Sequence, residues 1–193
     1  AELARIREKR HNLAIWDRQL DPALEQAVFD ARFDRPLSLR QTIARPHIAH
    51  QLDQLIADAD LAAPHSQTAL RAELGMHCEL FFGFCGHAAV QLSLNRVEDG
   101  MCRQFHVDFY HLRMICTYRG AGTEWVSEAD TNRAAVPGQD RLQPGATPRR
   151  LSAGQVAILK GENYPGAANR GIVHRSPQPG PQDDIRVLVR LDC

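Results

Sequence analysis

The C-terminal part of this chain is a series of short β-prone runs, and that pattern decides what it can fold into. From His77 onward, apolar or alternating stretches occupy residues 80–82, 89–94, 105–109, 113–118, 124–126, 155–159, 171–174 and 185–191. Gly- or Pro-bearing turns punctuate most of them. With no long amphipathic helix between one run and the next, the chain cannot make the crossovers of a parallel sheet. It suits an antiparallel sandwich or jelly roll.

Helical patterns gather ahead of this region. Residues 12–16 read as a short strand. Asp21 before Pro22 then marks a helix start, running to about residue 31. Ile48, Leu52, Leu55 and Ile56 recur at helical spacing within 48–59, and a third helix is expected over 66–74. The expected fold is therefore mostly β (α+β): a jelly-roll core with N-terminal helices packed on it. It forms one domain over 1–193, with 1–75 a helical cover and 76–193 the β core. Residues 130–148 are polar, contain Pro137, Gly138, Pro144 and Gly145, and read as a long surface loop.

Composition narrows the function classes. Lys and Arg total 23 and so do Asp and Glu, giving no net charge, so no nucleic-acid partner is expected. No apolar run is long enough for a membrane span, and Lys9, Arg10, His11 and Asn12 interrupt any secretory signal. Five cysteines, an odd number with no CxxC, fit reduced thiols in a cytoplasmic protein better than a zinc knuckle. A phosphate-binding GxxxxGK[ST] loop, a dinucleotide GxGxxG and a serine-hydrolase elbow are absent.

What remains is a metal-ligand pattern. Within 105–109, period-two alternation puts His106 and Asp108 on one strand face and Phe105, Val107 and Phe109 on the other. His174 stands alone near the C-terminal end. Two imidazoles and a carboxylate can take one face of a divalent ion and leave the opposite positions open, the arrangement of non-haem Fe(II) oxygenases. His-x-Asp by itself is a weak signal, and its other reading is the solvated face of an edge strand. His77, Cys78, Cys85 and His87 have the look of a second soft-ligand cluster, but read better as buried strand thiols and surface histidines.

The order of features adds to the pair. After His106-x-Asp108 come Gly120-Ala-Gly122-Thr-Glu-Trp125, the Gly154-led run 155–159, His174 and then Arg186 and Arg190. This order resembles the double-stranded β-helix (cupin-like) of Fe(II)/2-oxoglutarate-dependent oxygenases. The resemblance implies His106, Asp108 and His174 as metal ligands, Fe(II) as the metal with Zn or Ni as substitutes, and 2-oxoglutarate as co-substrate. Arg186, or Arg190 four residues on and on the same strand face, would clamp its distal carboxylate bidentately. Thr117 and Tyr118 are candidates to hydrogen-bond the oxoacid. His111, Glu124 and Trp125 are candidates for supporting the ligands or touching substrate, and His111 could also ligate. The stretches Cys102–Asp108, Thr117–Trp125 and Gly171–Pro177, with 13–16, are also similar to a bacterial family known only as a domain of unknown function. The expected activity is hydroxylase-type, on a small-molecule or peptide substrate entering beside 130–148 and 161–171. A homodimer is the assembly such an architecture would favour. The rival readings are a cupin-like zinc or iron buffer or sensor, and a metalloenzyme that uses no 2-oxoglutarate.

Overall fold

A computed structural model describes residues 2–29, 37–59, 64–97, 102–136, 139–166, 168–178 and 185–193. Its elements are β1 (Leu13–Trp16), α1 (Pro22–Val28), β2 (Ser38–Ala44), α2 (Ile48–Asp58), α3 (Pro64–Cys85), β3 (Ala89–Val97), β4 (Leu112–Arg119), β5 (Glu124–Trp125), β6 (Arg149–Arg150), β7 (Val156–Lys160), β8 (His174–Arg175) and β9 (Arg186–Asp192). The strands form a large sheet in the order β1-β7-β4-β9-β3-β2 and a small one in the order β6-β5-β8. Every pairing is antiparallel. Two facing antiparallel sheets with helices against the larger one make the jelly roll that the run pattern implies.

Strand parity sorts the large sheet into two unlike faces. Met114, Cys116 and Tyr118 of β4, with Val187, Val189 and Leu191 of β9, belong to the main core with the helices. Leu52, Leu55, Leu70, Leu74, Cys78 and Phe81 supply the helical side of that core. Burying one such Leu or Phe contributes roughly 1.5–3 kcal/mol. The opposite parity carries Ile115 and Leu188 into the space between the sheets, where they meet Leu151, Ile172 and Trp125. Arg113, Thr117, Arg186 and Arg190 share that inner face, because directly opposed residues in a ladder point the same way.

The sequence expectations need three adjustments. The run 80–82 is no strand: it is the end of α3, which extends past the expected 66–74, and its Phe81 and Phe82 are buried against the core. The division into a helical 1–75 and a β 76–193 does not hold either. β1 and β2 form the two edges of the large sheet, while α3 reaches Cys85. β2 escapes a hydrophobicity reading because Ser38, Arg40 and Thr42 face outward from a sheet edge. Asp21 does cap α1, accepting a hydrogen bond from the Ala23 N–H at 2.8 Å. Among the described residues, no helix is long and apolar enough to cross a membrane.

Candidate metal centre

The expected strand over 105–109 is reduced to one bridge. His106 and His174 oppose each other as an isolated antiparallel pair, exchanging N–H···O=C bonds of 3.0 Å in both directions. Around the bridge the alternation is real. Phe105 and Val107 pack with Val126 and Val173 on the reverse side, together with Leu142. His106 and Asp108 turn the other way. Alternation ends at Asp108, because Phe109 is 74% exposed instead of joining Phe105 and Val107.

The chain after Asp108 is held by close backbone contact. The Gly161 N–H donates to the His111 carbonyl (3.1 Å) and the Glu162 N–H to that of Asp108 (2.9 Å). A Cβ at Gly161 would overlap the Tyr110 carbonyl oxygen, and one at Gly171 would overlap the Val107 side chain. Only glycine permits these approaches. Gly161 and Gly171 of the 161–171 segment thus buttress the loop through Asp108, and Leu142 of 130–148 packs on its reverse side.

His106, Asp108 and His174 offer ligand atoms that all lie within 4.8 Å of one another. Asp108 Oδ1 is 3.4 Å from His106 Nε2, and Oδ2 is 3.1 Å from His174 Nε2. The other ring nitrogens are committed: His106 Nδ1 meets the Gln104 carbonyl at 2.9 Å, and His174 Nδ1 the Ile172 carbonyl at 3.1 Å. A carbonyl only accepts, so Nδ1 carries the hydrogen and each neutral ring presents a lone pair at Nε2. Two lone pairs and a carboxylate converging on one point require a cation there, either protons or a metal. These residues fit a divalent ion of the Fe(II) type.

Asp108 is also secured from behind. Its Oδ2 accepts from the Tyr110 hydroxyl (2.7 Å) and from Arg113 Nη1 (2.7 Å), while Arg113 closes on Asp192 through Nε at 2.6 Å and Nη2 at 3.0 Å. Burial pushes the Asp108 carboxyl up. Hydrogen bonds from His106 and His174, then the charges of His174 and Arg113, outweigh burial and hold it well below the usual carboxylate range. The same bond to Asp108 raises His106 against its own burial. Neither Tyr110 nor Arg113 stands out in the sequence, where nothing but nearness to Asp108 marks them.

Along β9, Arg186 and Arg190 have no carboxylate bonded to them among the described residues. Arg186 is buried and its Nη2 donates to Thr123 Oγ1 (2.8 Å) and Thr117 Oγ1 (3.3 Å). The buried Nε atoms of both arginines have no hydrogen-bond partner among the described residues. Burial, then the neighbouring Arg190, lowers Arg186 to about 10. Burial, then the charge of Arg113, lowers Arg190 against the raising pull of Asp192, Tyr110 and Asp108. An unpaired buried cation is costly, so a face carrying the buried Arg186 and the half-buried Arg190 suits an anion.

The remaining candidates separate. Thr117 is in this group, but Tyr118 is not. Parity turns Tyr118 to the helix side, where its hydroxyl is 3.3 Å from His77 Nδ1 and the two rings stack. Glu124 is taken by Arg150 and Arg175, each at 2.7 Å, which hold its carboxyl down against burial. Arg175 accordingly points away from the ligands. Trp125 pairs in register with His174 and belongs to the cluster between the sheets. His111 is outside the ligand group, with its Nδ1 3.3 Å from His87 Nε2.

The group His77, Cys78, Cys85 and His87, read as buried strand thiols and surface histidines, is corrected in part. His77 and Cys78 are buried on a helix, not a strand, and His77 groups with Glu73 and Cys116. The centre of that group is already filled by the chain's own cation. The Arg18 guanidinium bonds Glu73 and lies 3.4 Å from His77 Nε2 and 3.7 Å from Cys116 Sγ.

Comparison with solved structures yields the same fold. The rice dioxygenase for auxin oxidation superposes with a TM-score of 0.59 at 16% identity, covering 98% of this chain and 76% of its own. The Arabidopsis thaliana dioxygenase for auxin oxidation 1, solved in a 2-oxoglutarate binary complex, gives 0.55 at 11% identity, covering 95% and 83%. No curated protein matches the sequence. Residues 1–192 match the family described as Protein of unknown function (DUF1826), and this chain belongs to that family.

Proposed function

We propose that this protein is a non-haem Fe(II)/2-oxoglutarate-dependent oxygenase of hydroxylase type. The observation that carries the proposal is the convergence of His106 Nε2, His174 Nε2 and Asp108 on one point, with both Nδ1 atoms tied to backbone carbonyls. Three ligands from one side leave further coordination positions free, as a catalytic site requires and a closed storage site does not. Among the described residues, no fourth His, Cys, Asp or Glu joins the group, and His111, the best candidate, turns to His87.

When bound, iron and the oxoacid would together activate dioxygen toward a C–H bond, and that chemistry belongs to the cofactors. This chain's own residues do the rest. Arg113 and Tyr110 orient the Asp108 carboxylate, and the Gln104 and Ile172 carbonyls fix the imidazole tautomers. Arg186, braced by Thr117 and Thr123, receives the distal carboxylate of 2-oxoglutarate, and Arg190 adds positive potential on the same face. Ile115, Leu159, Leu188 and Trp125 line the space between the sheets and keep water from it. The likeness in fold to the dioxygenases for auxin oxidation supports this reading.

The test is turnover without a known substrate. Iron-loaded protein given 2-oxoglutarate and oxygen is expected to form succinate slowly, and Arg186→Ala to need far more 2-oxoglutarate for the same rate. Succinate formation that proceeds without added iron, or that is indifferent to Arg186→Ala, contradicts the proposal.

A further inference from the structure

Two thiols outside the metal centre make a contact that the oxygenase chemistry does not use. Cys85 ends α3, and Cys193 follows the last residue of β9. Cys193 is fixed by its backbone: its N–H donates to the Leu112 carbonyl (3.1 Å), and its carbonyl accepts from the His111 N–H (2.8 Å). The β3–β9 register pairs Gln91 with Asp192, which carries the turn at 86–88 toward Cys193. Both side chains are half-buried against the edge of the main core. His87, two residues after Cys85, has its Nε2 3.3 Å from His111 Nδ1, and it is the His111 N–H that donates to the Cys193 carbonyl, so the two thiols meet at the same edge of the fold, close enough to act on each other electrostatically.

We propose that Cys85 and Cys193 form a peroxide-oxidisable dithiol, with Cys85 the attacking sulfur and Cys193 the resolving one. The Cys85 thiolate attacks one oxygen of a hydroperoxide and the O–O bond breaks. The sulfur keeps one oxygen as a sulfenic acid, and the other leaves as water or an alcohol after taking a proton from solvent. The Cys193 sulfur then attacks the sulfenic sulfur. An S–S bond forms, the S–OH bond breaks, and the hydroxyl leaves as water with the Cys193 proton. In total the two sulfurs lose two electrons and the peroxide gains them.

The electrostatics fit these roles. Interaction with the Cys193 thiol lowers the Cys85 thiol to about 6 against its burial, with the His87 N–H and ring charge assisting, so Cys85 is largely thiolate near neutral pH. The same interaction keeps Cys193 protonated until Cys85 has reacted and its negative charge is gone. By contrast, burial pushes both Cys78 and Cys116 up to about 12, which makes them inert. The location has a structural consequence. Cys193 adjoins Asp192, the residue that holds Arg113 against Asp108, so the disulfide would tie that anchor to the end of α3.

The experiment needs no metal and is independent of the oxygenase reading. The full chain, stripped with EDTA, is treated with stoichiometric hydrogen peroxide near neutral pH, quenched by alkylation and mapped by mass spectrometry. The expected product is a Cys85–Cys193 linked peptide, two hydrogens lighter, formed before the exposed Cys102 changes. In Cys193→Ser, dimedone is expected to label Cys85. Oxidation of Cys102 ahead of Cys85 overturns the proposal. So does a Cys85 sulfenic acid that persists in the unsubstituted chain while Cys193 stays alkylatable, or a Cys85 that excess peroxide leaves untouched.

Discussion

His106 and His174 exchange both of their backbone hydrogen bonds, at 3.0 Å each way, so two imidazoles 68 positions apart in the chain rise from a single antiparallel pair. Their ring centroids lie 4.8 Å apart. The bridge ties the backbone of both residues, and the loop through Asp108, to β8. The spacing of the two candidate ligands is thereby set by main chain, and side-chain rotamers supply the final orientation.

Removing one member should empty the site without unfolding the chain. His174→Ala is expected to weaken Fe(II) binding by more than about 100-fold, since a lost ligand costs at least as much as a lost supporting partner. Far-UV circular dichroism should be unchanged. Isothermal titration under anaerobic conditions measures the affinity, and Fe(II) binding retained at full strength would exclude His174 as a ligand.

The support behind Asp108 should matter less, but measurably. Tyr110→Phe deletes the hydroxyl that donates to Oδ2 at 2.7 Å while keeping the ring that Arg113 stacks on. Loss of such an outer partner typically costs 10–100-fold in metal affinity. The lower end, about tenfold, is expected because Arg113 remains bonded to Asp108. The same titration reads it.

Arg186 sets stability against binding. The protein holds this guanidinium at 8% exposure, with no carboxylate bonded to it among the described residues. Arg186→Met should therefore raise the chain's stability by about 1–3 kcal/mol, in line with replacements of buried ionic groups by apolar ones. It should weaken 2-oxoglutarate binding strongly and leave Fe(II) affinity intact. Urea melts and ligand titrations decide it, and equal loss of metal and oxoacid would count against the clamp.

Acid should loosen the helix layer through His77. Burial, and then the charge of Arg18, lowers this imidazole from 6.5 to about 3. In the unfolded chain His77 takes up a proton near pH 6.5, whereas the folded chain refuses it until about pH 3. Between those values the unfolded state binds more protons, so stability falls as pH falls, by up to about 1.4 kcal/mol per pH unit. His77→Gln should flatten the denaturation profile in that window. A profile as steep as that of the unsubstituted chain would show that other groups carry the acid sensitivity.

How far the fold and site were legible follows from parity and from packing. Strands with one apolar face, such as β4 and β9, announce themselves, and the same parity could have separated Thr117 from Tyr118 once Arg186 was given an inner face. Phe81 and Phe82 mislead because a helix wedged into the main core has consecutive apolar residues, as a buried strand does. The candidate ligands His106, Asp108 and His174 were readable from type and order, but the partners Tyr110, Arg113 and Asp192 were not. Their contact with one another is made by the β4–β9 register, which pairs Arg113 with Asp192. Nothing local in either sequence segment encodes that.

The proposed site holds iron through His106, Asp108 and His174 with 2-oxoglutarate beside it, and the visible spectrum of anaerobic protein with Fe(II), recorded before and after adding 2-oxoglutarate, tests this directly. The expected result is a metal-to-ligand charge-transfer band that needs both components, is lost in His174→Ala, and in Arg186→Ala appears only at much higher 2-oxoglutarate. Stoichiometric Fe(II) binding with no band at saturating 2-oxoglutarate would contradict it.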